Sequence, residues 1–320
     1  MQVRTVLSRA EWEPLAEAHA ARVDRYTRPH LERREARVKH PVHDFLFTYY
    51  SQRPAQLRRW HPGVGVALED APEHAGWKGY RVVPPSGRHS ARSGARVEVD
   101  PAYVAAQRPL VEAIRRLLVA TASRPPQLGC FGLHEWAMVH RASEHGTRHE
   151  WPLRLGEHGT DEVVEGHRIT CTHFDAFRFF TPSARPLNTL SPGSKDREEF
   201  EQPGCLHAGM DLYKHAFRLS PMVPSELVAD CFELAGTSGC WTCARRRTTW
   251  PTWAWTRYAS RPPRASGPTP RRRPGSPSGA LPCAPAWSRR ATGCWRRRGS
   301  VELTPSTPTH RPANQPGSAL

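Results

Sequence analysis

The stretch Val223–Trp250, VPSELVADCFELAGTSGCWTCARRRTTW, decides how the rest of the chain is read. Up to Ala235 its apolar residues recur at helical spacing, and Ser225 stands where a side chain can cap the helix N-terminus. From Gly236 that pattern stops. Residues 236–320 hold 15 Arg, no Lys, 13 Pro, six Trp and a single acidic residue, Glu302, with only four Val, Ile, Leu, Met or Phe in 85 positions. Burial of so little aliphatic surface does not offset the entropy of ordering the chain. The expectation is therefore one globular domain, residues 1–235, followed by a disordered Arg/Pro-rich tail.

A displaced reading frame accounts for the tail's composition. GC-rich codons shifted by one base yield mainly Arg, Pro, Ala, Gly, Ser, Thr, Trp and Cys. Stepped back one base, GTSGCWTCARRRTTWPTWAWTRYASRPP decodes with ordinary codons as RDIRVLDMRASPYDLADLGLDPVRIETA, which restores acidic, basic and aliphatic residues at helical spacing. The charge balance changes accordingly. The whole chain carries +16, but the tail supplies 15 minus 1, or +14, leaving 31 Lys+Arg against 29 Asp+Glu in residues 1–235, only +2. The basic pI of about 10.2 is thus no evidence for phosphate neutralisation by the domain.

The domain reads as mainly α with minor β, an α+β arrangement. Ser8 and Glu11 have the capping-box spacing and open a helix that runs to about Arg37. His40–Tyr50 packs aromatic residues into a buried segment, Gly63–Leu68 and Gly79–Val83 are strand candidates, and the polar run Pro84–Arg96 bounds an N-terminal subdomain, 1–83. Tyr103–Ala122 has amphipathic helical spacing. The N-terminus has no apolar run of signal-peptide or membrane-span length, which points to the cytoplasm and away from a membrane. In that setting Cys130, Cys171, Cys205 and Cys231 are expected as free thiols or metal ligands rather than disulfides. Cys240, Cys243, Cys283 and Cys294 belong to the tail, so the local CxxC there carries no weight.

Three segments concentrate the chemistry: LGCFGLHEWAMVHR (128–141), ITCTHFDAFRFFTP (169–182) and GCLHAGMDLYKHAF (204–217). Cys171, His173, Cys205 and His207 form two Cys-x-His pairs, a donor set suited to zinc, with Cys130 or His134 nearby; the alternative is two small buried thiols beside helix starts. His207, Asp211 and His215 recur at i, i+4 and i+8, within about 80° of helical arc. They either face a cleft together or stabilise their own helix. Asp175, among Phe174, Phe177, Phe179 and Phe180, suits a general base or a cation-binding group if buried, and equally a helix cap. His134 and His140 lie six apart, which excludes the H-E-x-x-H zinc spacing, and no phosphate-loop, Rossmann, nucleophile-elbow or kinase motif is present.

Taken together, HPVHDFLFTYYSQRPAQLRRWHPG, LGCFGLHEWAMVHR, CTHFDAFRFFTPSARPLN and EQPGCLHAGMDLYKHAFRLSPMVPSELVADCFELA resemble an actinobacterial family labelled 3-methyladenine DNA glycosylase, over roughly residues 9–235. The resemblance implies hydrolysis of the N-glycosidic bond of an alkylated purine flipped out of duplex DNA. That chemistry calls for an aromatic base pocket (Tyr49, Tyr50, Trp136, Phe177), a carboxylate (Glu135, Asp175 or Asp211, with His173 and His207 beside them) and cations that hold the strand (Arg53, Arg58, Arg59). The sequence lacks a helix-hairpin-helix glycine hairpin followed by an Asp. Two other readings stay open: a metal-dependent hydrolase or small-molecule enzyme using the Cys/His/Asp residues, with zinc at Cys171, His173, Cys205 and His207, and a non-catalytic module.

Overall fold

The computed structural model describes residues 3–40, 43–50, 52–84, 95–130, 132–147 and 152–244. Of the tail expected to be disordered from Gly236, residues 236–244 instead continue the helix that begins at Ser225, and the rest, from residue 245, lies outside the described residues. The domain is α+β, as the periodicities imply: helices dominate and four short strands form one sheet.

Strand β1 (Thr5–Leu7) leads into the long helix α1 (Arg9–Glu35). The capping box forms as its spacing requires: Ser8 N–H and Oγ–H both donate to Glu11 Oε2, at 2.8 and 2.7 Å. Two short helices follow, α2 (Phe45–Tyr49) and α3 (Pro54–Leu57), then β2 (Val66–Glu69), α4 (Pro72–Ala75), β3 (Tyr80–Val83) and β4 (Arg96–Val99). The sheet order is β1-β2-β4-β3, with β1 parallel to β2 and the other pairs antiparallel. Because β4 pairs with both β2 and β3, the sheet draws strands from both sides of the run Pro84–Arg96. Trp12, Trp60, Leu68, Ala71 and Val97 fill the core beside the sheet.

The helix expected over Tyr103–Ala122 is two, α5 (Pro101–Ala106) and α6 (Arg108–Ser123), split at Gln107 by Pro109, which cannot donate a helical hydrogen bond. Short helices α7 (Leu133–Ala137), α8 (Ala142–His145), α9 (Gly156–Glu165), α10 (Phe174–Phe177) and α11 (Arg197–Phe200) lead to α12 (Leu206–Arg218) and α13 (Ser225–Ala244). A second core joins α1, α2, α12 and α13 through Val23, Leu46, Phe47, Tyr213 and Phe232. A third, around Trp136, Val164, Ile169, Ala176 and Phe180, holds α7, α9 and α10 together.

Ser225 is the first residue of α13 rather than its cap. Its hydroxyl donates to Arg59 O at 3.1 Å and accepts His61 N–H at 2.8 Å, so it fastens the helix to the segment before β2. The same junction brings Gly63 against Pro224: at φ +85°, a Cβ on Gly63 would lie 3.0 Å from Pro224 N. No helix among the described residues is long and apolar enough to cross a membrane.

Candidate metal centre

Local backbone features place the polar side chains. Gly132 adopts φ 83° immediately before α7, a left-handed conformation open to glycine, and Leu133 N–H closes the turn onto Cys130 O at 2.6 Å. This turn sets Cys130 and His134 face to face, with Sγ 3.0 Å from Nδ1. The extended run carrying Cys171 and His173 is pinned by Asn188, which accepts Cys171 N–H at 2.7 Å and donates to Cys171 O at 3.0 Å. Gln202 ties the third segment in: its Oε1 accepts Gln127 N–H and Gly204 N–H, and its Nε2 donates to Gln127 O. Helix α12 then buries His207, Asp211 and His215.

Two clusters result. In the first, ligand atoms of His134, Glu135 and His207 all lie within 4.8 Å of one another; in the second, those of His173, Asp175 and Asp211 do. The rings of His134 and His207 meet edge to face with centroids 4.7 Å apart, and His207 stacks on His173 at 5.5 Å, so the clusters adjoin. His134 Nε2, His207 Nδ1 and both ring nitrogens of His173 are buried without a hydrogen-bond partner.

The two clusters differ in charge compensation. Asp211 Oδ2 accepts from Lys214 Nζ at 2.5 Å and from Arg197 Nη2 at 2.8 Å, while its Oδ1 accepts from Tyr50 Oη at 3.2 Å. Arg197 Nε also donates to Glu201 at 2.5 Å, and Lys214 reaches Asp175 at 3.3 Å. His173 sits between Glu201 and Asp211 at 3.4 and 3.5 Å, close enough to share their field but too poorly aligned for a hydrogen bond. Protein cations therefore already neutralise the second cluster's carboxylates, and a metal ion there would be repelled by Arg197 and Lys214. The first cluster combines two imidazoles, each with a buried nitrogen that lacks a hydrogen bond, and one carboxylate 3.6 Å from His134 Nε2, the composition of a His₂Glu metal site.

Titration behaviour follows from these surroundings. Burial, aided by the neighbouring His134 and His173, pushes His207 down to about 3, so it is a neutral donor at physiological pH. For His134 burial acts downward, but Cys130 and Glu135 outweigh it and raise the imidazole to about 10. The hydrogen bond from Cys171, with His134 alongside, holds the Cys130 thiol well below its usual range against the opposing cost of burial. Cys171 is raised in turn by Cys130 and by burial, and burial lifts Cys205 to about 12. Burial would also raise Asp211, yet His173 and Lys214 keep its carboxyl below the normal carboxylate range. Cys130 and Glu135 thus both favour a proton on His134, which a cation bound there would displace.

The structure gathers Glu135, His207, His173, Asp175 and Asp211 into these adjoining clusters. The four-residue zinc set read from the two Cys-x-His pairs divides instead: His207 joins His134 and Glu135, His173 joins the aspartates, and Cys171 and Cys205 enter neither ligand group. Cys205 is the residue before α12, whereas Cys171 lies in an extended run, so the two pairs are not geometrically equivalent. Asp175 falls inside α10, with His173 in the cap position. Tyr50 packs against the helical core, and the charges of Asp175 and Asp211 act on Tyr49, while Trp136 and Phe177 belong to the core around α7 and α10. Arg58 is held by Asp24 at 2.5 and 3.0 Å, Arg59 lies over the Trp77 ring, and Arg53 is exposed. His140 is buried between Ser183 Oγ and Glu165, at 3.0 and 3.1 Å, away from the clusters.

Arg197, Glu201, Gln202 and Lys214 escape the sequence reading. The spacings Arg197/Glu201 and Asp211/Lys214 are ordinary helical ion pairs, and nothing in them announces a shared buried carboxylate. No protein-family model matches the chain, and no curated protein or solved structure is similar to it.

Proposed function

We propose that this protein is a metal-dependent hydrolase whose ion is held by His134 Nε2, His207 Nδ1 and the Glu135 carboxylate. One observation carries this reading: ligand atoms of His134, Glu135 and His207 lie within 4.8 Å of one another, and His134 Nε2 and His207 Nδ1 are buried with no hydrogen-bond partner, where an unmatched polar atom costs about 1–3 kcal/mol. A bound cation matches both. His134 turns its other nitrogen to Cys130 Sγ, the outer-shell contact that fixes the orientation of a metal-binding imidazole. Two imidazoles and a carboxylate would suit zinc, which when bound would supply an acidified water as nucleophile. A reducing cytoplasm, where Cys130 and Cys171 stay as thiols, suits the arrangement.

Elemental analysis of the purified protein tests the proposal. We expect one zinc per chain, lost in His134→Ala and in His207→Ala but retained in His140→Ala. Absence of any first-row metal after zinc supplementation overturns it; stoichiometric iron would keep the site and change the chemistry.

A second reading, hydrolysis of the N-glycosidic bond of alkylated purines in DNA, is favoured by Asp175. Its side chain is 21 % exposed and its charge acts on Tyr49, so it offers a reachable carboxylate in the field of an aromatic residue. Release of 3-methyladenine from methylated duplex DNA is its assay. Release abolished by Asp175→Asn supports it, and a rate equal to the protein-free background removes it.

A further inference from the structure

We propose that Ser183, His140 and Glu165 form a second active site, independent of any metal, in which Ser183 is the nucleophile toward small carboxylic esters. The three side chains connect in series: Ser183 Oγ lies 3.0 Å from His140 Nδ1, and His140 Nε2 lies 3.1 Å from Glu165 Oε1. Distant parts of the chain supply them, since 43 positions separate His140 from Ser183 and 25 separate it from Glu165. The carboxylate settles where the hydrogens sit. An ionised carboxylate only accepts, so in the neutral imidazole His140 Nε2 carries the proton and Nδ1 keeps its lone pair. Ser183 Oγ–H then donates to Nδ1, the contact through which a base, itself oriented by a third group, activates a hydroxyl.

The local backbone brings a second imidazole to the same oxygen. Arg141 takes the left-handed conformation at φ 51°, uncommon for a residue with a side chain, and caps α8. His140, before this turn, and His145, at the end of α8, both reach Ser183, with His145 Nε2 3.1 Å from Ser183 Oγ. Because Ser183 donates to His140, His145 donates to Ser183. Thr181 Oγ1, 3.2 Å from Ser183 Oγ, donates to Ala137 O and ties this turn to α7. Burial is graded along the series: His140 is 1 % exposed, Ser183 is half-buried and His145 is 25 % exposed, which puts the approach of a substrate on the side of Ser183 and His145. None of these residues belongs to either metal-ligand cluster.

The steps balance without a co-reactant other than water. Ser183 Oγ attacks the ester carbonyl carbon, a C–O bond forms, and the hydroxyl proton passes to His140 Nδ1 while Glu165 accepts from the imidazolium. The oxyanion on the attacked carbon is two bonds from Oγ, within reach of His145 Nε2–H. The bond to the leaving oxygen then breaks, and that oxygen takes the proton from His140 and departs as the alcohol. Water attacks the acyl-serine and gives a proton to His140; the bond to Oγ breaks, Oγ recovers the proton, and the carboxylic acid leaves. One ester and one water become one alcohol and one acid.

Peptide mapping of the full chain after treatment with a fluorophosphonate probe tests the serine, whose oxygen bonds to phosphorus as fluoride leaves. We expect one adduct per chain, on Ser183, both in protein kept in EDTA and in protein supplied with zinc. The wild-type map decides without any variant: an unlabelled protein, or a label on another residue, overturns the proposal. Labelling lost in EDTA and restored by zinc assigns the reactivity to the metal cluster and also overturns it. Hydrolysis of para-nitrophenyl acetate then separates the roles. Ser183→Ala should fall to the protein-free rate, and His140→Gln should lower kcat by about 10²–10⁴-fold. Glu165 is a positioning residue, 50 % exposed, so Glu165→Gln disturbs no core and should lower kcat about tenfold with KM unchanged. Wild-type kcat in Glu165→Gln refutes its place in the series.

Discussion

Replacing Asp211 by Asn keeps the shape of the side chain and removes the charge on which Lys214, Arg197 and His173 converge. In the native protein Asp211 Oδ2 accepts from Lys214 at 2.5 Å and from Arg197 at 2.8 Å, and its side chain is 4 % exposed. Removing one partner of a buried ion pair costs about 3–5 kcal/mol, because the stranded charges remain desolvated. Two features move the expectation to the lower end. Arg197 keeps Glu201 and Lys214 keeps Asp175, and both cations are 21 % exposed and so reach some water. We expect a loss of about 3 kcal/mol, which for a domain of this size lowers Tm by roughly 6–12 °C. Lys214→Met should cost less, about 1–2 kcal/mol, since Asp211 retains Arg197 and its neighbouring His173.

The same substitution predicts a change in acid stability with a definite sign. The folded state holds the Asp211 carboxyl below its unfolded value of about 3.9. The unfolded chain therefore binds the proton first as pH falls, and the contribution of Asp211 is complete above that value and drains away below it. Asn has no such term. Thermal melts between pH 5 and pH 2, read by circular dichroism, should show a shallower acid limb for Asp211→Asn than for the wild type. A variant within about 1 kcal/mol of wild type at neutral pH, or one whose stability falls more steeply in acid, refutes the ion-pair account of this cluster.

Zinc affinity should rise with pH up to about 10, near tenfold per unit, because His134 gives up its raised proton on binding whereas His207 is already neutral. Competition with a chelator of known affinity at several pH values measures this, and a flat profile refutes the raised proton on His134. Ser225→Ala leaves Arg59 O and His61 N–H without the hydroxyl between them and should cost about 2 kcal/mol in urea unfolding. Gly63→Ala meets both the left-handed backbone and the contact with Pro224 and should cost at least about 1–2 kcal/mol in the same assay; a neutral result would mean that the loop relaxes freely. Resequencing the gene around the Gly236 codon should reveal a one-base displacement, and a clean read with no frame-restoring alternative nearby rejects the out-of-frame tail.

Local signals carried the fold further than they carried the site. The Ser8/Glu11 capping box needs only four residues of context, and the strand candidates at Gly63–Leu68 and Gly79–Val83 became β2 and β3 within a few residues. Helix α12 shows where such signals end. The i, i+4, i+8 spacing of His207, Asp211 and His215 correctly places all three on a buried side, yet spacing does not say what faces each of them. The turn at Gly132 brings His134 and Glu135 against His207, whereas four residues further on Asp211 meets Arg197, Lys214 and His173, and these opposing neighbours give one helix face a ligand at one end and an ion-pair hub at the other. The Cys-x-His echo misled for the same reason. In the extended run Cys171 and His173 are both buried, and so is Thr172 between them. Cys205 and His207 straddle a helix start. A donor pair two apart thus defines a common direction only when the backbone between its members is known, which is why Cys130 and His134, four apart across a glycine turn, form the tighter thiol–imidazole contact.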